Sequence, residues 1–140
     1  MNKFFDNALK LIADLSDDKS RQVSAIIVDE NDTIISYGSN TLPNGVNKSD
    51  DRLEKPKKYA WIGHAERNAI YDAAKRGIKL EGTKMYCSYF PCADCARGII
   101  QSGISELYTT EPDLKHEKWG ESWTCALEMF KESGVQIHFI

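Results

Sequence analysis

The stretch Thr83-Lys84-Met85-Tyr86-Cys87-Ser88-Tyr89-Phe90-Pro91-Cys92-Ala93-Asp94-Cys95-Ala96-Arg97-Gly98-Ile99-Ile100-Gln101-Ser102-Gly103-Ile104-Ser105-Glu106-Leu107-Tyr108-Thr109 decides the fold. Residues 83–90 are apolar, aromatic and β-favouring, which predicts a strand that Pro91 breaks. Residues 92–102 carry helical spacing and stop at Gly103, and residues 104–109 read as the next strand. A strand, a helix and a strand in that order make a parallel pair with a crossover. The pattern continues on both sides. Upstream, Ala65, Ala69, Ile70, Ala73 and Ala74 supply the apolar face of a helix over residues 64–76, closed by Gly77. Downstream, residues 121–133 read as a helix closed by Gly134, and residues 135–140 as a last strand.

The N-terminal part differs. Phe4, Phe5, Ala8, Leu9, Ile12 and Ala13 recur at helical spacing, so residues 2–15 read as an amphipathic helix. Residues 23–28 form a β-branched apolar run, Asp29-Glu30-Asn31-Asp32 a turn, and Thr33-Ile34-Ile35 a second strand, together a hairpin. Residues 40–61 hold Pro43, Gly45, Pro56 and many charges without periodicity, and read as one long loop of the functional kind. The order is α-β-β-α-β-α-β-α-β. It predicts an α/β fold, a three-layer α-β-α sandwich around a mixed five-stranded sheet.

A chain of 140 residues suits one domain, residues 1–140. The net charge of -3 provides no global positive field to draw in nucleic acid or an anionic membrane. No apolar run approaches the ~20 residues that span a bilayer, and residues 1–6 lack the features of a secretory signal. Four cysteines, two of them in a C-x-x-C, suit a metal site in a reducing compartment, so the expected location is the cytoplasm.

Metal donors fall where two helices begin. Cys92 and Cys95 lie one turn apart on one helix face, where backbone N–H groups favour thiolate. Pro91 suits the entrance, since its missing N–H costs nothing there. His64 and Glu66 are two apart and point to different sides of a helix, which fits one ligand and one separate proton carrier. Three ligands, His64, Cys92 and Cys95, leave a fourth position on Zn²⁺ for water, as in catalytic sites. Zinc lowers the pKa of water from near 16 towards ~7. Glu66 would then take the water's proton and pass it to a ring nitrogen and to departing ammonia. H-x-E followed by P-C-x-x-C is the pattern of zinc nucleobase deaminases.

Other readings use the same residues. Cys87, Cys92, Cys95 and Cys125 have the C-x4-C-x2-C spacing of plant-type 2Fe–2S electron carriers. Against that, Cys87 lies in a predicted strand, Cys125 lies mid-helix, and His64-Ala65-Glu66 is left without a role. The blander use of Cys87 and Cys125 is as buried small hydrophobes. A nucleic-acid-editing deaminase would want a basic stripe that the chain lacks. A binding module on the same fold would not need Glu66.

The chain resembles the deoxycytidylate (dCMP) deaminase branch of the cytidine deaminase-like superfamily, from about residue 20 to 135. The residues that carry the resemblance are Gln22-Val23-Ser24-Ala25-Ile26-Ile27-Val28, Asn40-Thr41-Leu42-Pro43-Asn44-Gly45, His64-Ala65-Glu66-Arg67-Asn68-Ala69-Ile70, Tyr89-Phe90-Pro91-Cys92-Ala93-Asp94-Cys95-Ala96 and Ile99-Ile100-Gln101-Ser102-Gly103-Ile104. The resemblance implies a zinc enzyme that converts dCMP and water to dUMP and ammonia. It implies that Asn40 bonds the sugar hydroxyl and that the Ala65 N–H meets the base carbonyl. It also implies a homo-oligomer, often a hexamer, and a family in which dCTP and dTTP feedback is common. Ser24 and Thr41 stand where the family has glycine, near the expected pocket, which keeps a modified or different nucleotide open as the substrate. Ser88, Tyr89 and Phe90 adjoin the metal cysteines as candidate base contacts. Arg21, Lys48 and Arg52, with Lys55, Lys57 and Lys58, are candidate phosphate ligands. Trp61, Trp119 and Trp123 read as core or subunit contacts, and His116 and His138 as structural.

Overall fold

A computed structural model describes residues 2–140. Its five strands are β1 (Ser24–Val28), β2 (Ile34–Ser39), β3 (Lys84–Cys87), β4 (Glu106–Thr109) and β5 (Gln136–Phe139). They form one sheet in the order β2-β1-β3-β4-β5. β1 runs antiparallel to both β2 and β3, while β3, β4 and β5 are parallel. The sheet is therefore mixed, as the hairpin followed by crossover units required. Its helices are α1 (Lys3–Ala13), α2 (Lys58–Trp61), α3 (Ala65–Lys75), α4 (Ala93–Gln101) and α5 (Gly120–Ser133).

The two faces of the sheet are covered unequally. Ala25, Ile27, Met85, Cys87 and Leu107 point from the strands into the main core with Ala69, Ile99, Ala126 and Phe130 of α3, α4 and α5. Ile26, Val28 and Tyr86 point the other way and meet Phe5 and Leu9 of α1. Both crossovers, β3-α4-β4 and β4-α5-β5, step the same way along the sheet. Right-handed connections then put their helices on one face.

Three differences from the sequence reading have physical causes. β2 continues to Ser39 although Ser36, Gly38 and Ser39 carry no strand signal. Ser36 is held there by α3, its hydroxyl donating to the Ala69 carbonyl and the Asp72 carboxylate. Gly38 lets α3 approach: an added Cβ would lie 2.6 Å from both the Ala65 carbonyl oxygen and the Ala69 nitrogen. β3 ends at Cys87, earlier than read, because Phe90 leaves the strand to pack edge-on against Phe130. The segment 40–61 is not all loop: a 3-10 turn spans Asp51–Leu53, and α2 follows.

Candidate metal and active site

The start of β1, the end of β3 and the starts of α3 and α4 meet at one edge of the molecule. His64 is the N-cap residue of α3 and Cys92 that of α4, so both motifs open helices. At such positions the first backbone N–H groups have no partner inside the helix and favour negative charge. The Cys92 sulfur accepts the Cys95 N–H at 3.5 Å. The Ala93 N–H donates to the Ser122 hydroxyl of α5 at 2.8 Å, which ties the cysteine turn to its neighbour helix.

His64 Nδ1 lies 3.4 Å from the Cys92 sulfur and 3.4 Å from the Cys95 sulfur. All three donor atoms lie within 4.8 Å of one another. A tetrahedral zinc with bonds of about 2.1 Å to nitrogen and 2.3 Å to sulfur sets neighbouring ligands about 3.6 Å apart. One imidazole and two thiols at that spacing fit one zinc ion in identity, number and distance. The Cys92 thiol is brought down to about 4, first by the hydrogen bond from Cys95 and then, against burial, by His64. The Cys95 thiol is pushed up instead, first by its hydrogen bond with Cys92 and then by burial. His64 is raised chiefly by its hydrogen bond with Cys92.

Glu66 is only 4% exposed and lies beside this triad. Burial pushes its carboxyl above the usual carboxylate range. With His64, Ala65 and Cys92, it lines a cavity of about 390 Å³. The walls include Val23, Ile62, Phe90, Trp119 and Trp123, and the polar side includes Ser20, Arg21, Asn40, Lys55, Lys58 and Lys118. The size and make-up are those of a small-molecule site.

The expected site residues divide. Arg21, Asn40, Ala65, Tyr89 and Phe90 reach the cavity. The Arg21 guanidinium stacks on Tyr89, 4.4 Å from the ring centre. Asn40 spends most of its amide internally: its oxygen accepts from the Val23 N–H and the Ser16 hydroxyl, and its nitrogen donates to the Arg21 carbonyl. It thus ties the 16–23 loop to the end of β2. Ser88, Lys48 and Arg52 are not among the cavity-lining residues. The Ser88 hydroxyl accepts the Ser24 N–H at 3.0 Å. Lys48 pairs with Asp17 at 2.6 Å. Arg52 stacks on Trp61 at 4.0 Å and donates to the Asn47 carbonyl. The two departures from the family pattern also lie off the cavity. Ser24 is fully buried in β1, and Thr41 bridges to Gly63.

The cysteine alternative fails on geometry. Among the described residues Cys87 and Cys125 do not join the metal-ligating group. Cys87 is buried, as read, but Cys125 is exposed on α5, which corrects its reading as a core residue.

Several cavity residues had no signal in the sequence. Tyr59 from α2 and Lys118 from the 110–119 segment meet across the mouth, the ammonium donating to the phenol oxygen and lowering its pKa. His116 accepts the N–H groups of Lys118 and Trp119, both at 3.1 Å, and also faces the cavity. Trp123 belongs to the main core with Trp119 packed against it, as read, and the stacked pair also forms the wall beyond His64. Only the fold brings segment 110–119 to the metal turn.

A mixed sheet under three helices, with a His-Cys-Cys triad and a buried glutamate at two helix starts, defines a zinc-dependent deaminase scaffold. The family model for the cytidine and deoxycytidylate deaminase zinc-binding region matches residues 1–111, and this chain belongs to that family. It is 38% identical to the deoxycytidylate deaminase of Mus musculus, over 95% of this chain and 75% of that protein. It is 39% identical to an uncharacterized deaminase from the luxG 3' region of Aliivibrio fischeri, over 99% of this chain and 91% of that one. Among solved structures, the dCMP deaminase of cyanophage S-TIM5 in complex with dCMP and dUMP superposes with a TM-score of 0.76. That match has 25% identity and covers 100% of this chain and 99% of the other.

Proposed function

We propose that this chain is a deoxycytidylate deaminase: dCMP and water give dUMP and ammonia, with one zinc ion as cofactor. The observation that carries the reading is the cavity itself. Its floor holds His64, Cys92 and Glu66, and its mouth holds Arg21, Lys55 and Lys118. None of these three cations has a carboxylate partner among the described residues. A nucleotide needs both ends, chemistry at the base and cations at the phosphate.

His64, Cys92 and Cys95 would hold the zinc, which supplies the Lewis acidity that makes water a nucleophile at neutral pH. Glu66 takes the proton from the attacking water and delivers it to N3 of the cytosine ring. It then carries the second proton to the amino group at C4, which leaves as ammonia. Burial suits Glu66 to this work, because a carboxyl raised above its ordinary range both accepts and returns a proton readily. Phe90, 4% exposed, and the Trp119–Trp123 pair keep the reacting end dry. The Ala65 N–H, in the first turn of α3 where backbone donors lack helical partners, would meet the base carbonyl. Asn40 retains one amide N–H for the sugar after its internal bonds. Arg21, Lys55 and Lys118 replace Lys48 and Arg52 as the phosphate ligands.

Residues 1–140 act as one domain. No helix among the described residues is long and apolar enough to cross a membrane. The free cysteines suit a reducing compartment, hence the cytoplasm. Exposed Leu11, Leu15, Tyr37 and Tyr71 offer apolar surface for a homo-oligomer. The test is ammonia release over dCMP, deoxycytidine, CMP, dCTP, 5-substituted dCMP, purine nucleotides and single-stranded DNA. The reading expects dCMP to lead by kcat/KM. Preference for a purine or for DNA would overturn it.

A further inference from the structure

We propose that His116 is a positioning residue for the phosphate end of the site: its imidazole gathers the 116–119 turn so that Lys118 is held at the cavity mouth. The inference rests on the deaminase reading above, in which Lys118 meets the phosphate.

Helix α5 begins without a cap of its own. Its N-cap residue is Trp119, whose side chain makes no capping bond. The acceptor comes from further back in the chain. His116 Nδ1 accepts the N–H groups of both Lys118 and Trp119, each at 3.1 Å. Those two residues stand where a capping asparagine or aspartate finds its donors, two and three positions on. A ring nitrogen that accepts N–H groups carries no proton, so the proton of the imidazole sits on Nε2. The His116 backbone is fixed as well. Its N–H donates to the Asp113 carbonyl at 3.0 Å, and its carbonyl accepts the Gly120 N–H at 2.9 Å. Gly120 closes the turn against the chain before it, since an added Cβ would collide with the Leu114 carbonyl oxygen. The ring meets Trp123 of α5 edge-on, with centres 5.4 Å apart.

The two residues served do not depend on His116 equally. Trp119 is held a second time, by stacking on Trp123 and by its edge-on contact with His64. Lys118 is exposed, and its ammonium reaches only the Tyr59 phenol and the faces of the Tyr59 and Trp119 rings. The loss of the imidazole acceptor therefore falls on Lys118. Fixing its backbone before a nucleotide arrives removes part of the ordering cost of binding.

The test uses the whole chain loaded with zinc, unsubstituted and as His116→Ala, His116→Asn, Lys118→Ala and the double variant His116→Ala with Lys118→Ala. The ratio kcat/KM is measured for dCMP and for deoxycytidine, which lacks the phosphate. Losing a capping acceptor shifts a local equilibrium about 5-fold. The preference for dCMP over deoxycytidine should fall by about that factor in His116→Ala, through KM rather than kcat. His116→Asn, whose amide oxygen takes the place of Nδ1, should restore most of it. Added to Lys118→Ala, the His116→Ala change should lower the preference no further, because residues that act through one contact are not additive. Amide hydrogen exchange by NMR reads the turn without substrate. The Lys118 and Trp119 N–H groups should lose protection in His116→Ala and keep it in His116→Asn. An undiminished preference in His116→Ala, no recovery in His116→Asn, or additive losses in the double variant would overturn the proposal. So would unchanged exchange of both amides in His116→Ala. Absence of dCMP turnover by the unsubstituted chain would sink the deaminase reading, and the exchange rates would still decide whether His116 holds the turn.

Discussion

Asp18→Asn should destabilise the fold at neutral pH, because it strands a buried ammonium. Lys58 Nζ lies 3.1 and 3.2 Å from the two Asp18 carboxylate oxygens and 2.9 Å from the Ser20 hydroxyl. The side chains are only 9% and 13% exposed. Breaking a buried pair costs about 3–5 kcal/mol when nothing replaces the lost partner. Here Ser20 remains and the cavity admits water, so about 2–3 kcal/mol is the reasoned value. For a chain of this size that lowers Tm by roughly 6–12 °C. The pH dependence fixes the cause. Burial alone would raise the Asp18 carboxyl, but its bonds with Ser20 and Lys58 hold it below 3.8. A carboxyl lowered by folding contributes stability above its unfolded value and loses it as pH falls through the folded value. The gap between Asp18→Asn and the unsubstituted chain should therefore be full at pH 7 and shrink towards pH 3. Urea unfolding at both pH values measures it. Equal stability at pH 7, or a gap that widens on acidification, would refute the reasoning.

Three other outcomes follow from the same geometry. Gly38→Ala has no room for its methyl against the α3 backbone, and should cost about 2 kcal/mol or more by urea unfolding while reducing zinc content. Lys118→Ala should raise KM for dCMP about 10-fold or more, the usual value of a charge-assisted bond, and leave deoxycytidine kinetics unchanged. Cys92→Ala should lose zinc by elemental analysis, lose activity, and melt at a lower temperature than the loaded chain.

Much of this was legible in the chain because local chemistry and global fold agree. The alternation after residue 62 names the crossover helices, and Gly77, Gly103 and Gly134 all adopt positive φ, as their stopping role requires. The metal ligands were legible because each motif sits at a helix start, where local backbone conformation alone sets the side-chain directions. What was illegible depends on contacts distant in sequence. β2 runs on through Ser36 and Gly38 because α3 rests on them, not because of their own strand propensity. The cations that reach the cavity could not be told apart within the 40–61 segment. Lys48 and Arg52 looked equal to Lys55 and Lys58, and only the fold turns the first two to Asp17 and Trp61. Lys118 and His116 carried no periodic or motif signal, since a loop residue reaches a site by where the loop is laid.

The central claim is that one zinc ion and one buried carboxyl carry the reaction together. Zinc per chain and dCMP turnover, measured on the same samples of the unsubstituted chain and Glu66→Gln, test it most directly. The account predicts one zinc per chain in both, ammonia release in the first, and turnover lower by about 10²-fold or more in the second. Full turnover in Glu66→Gln, or an active sample that holds no zinc, would contradict it.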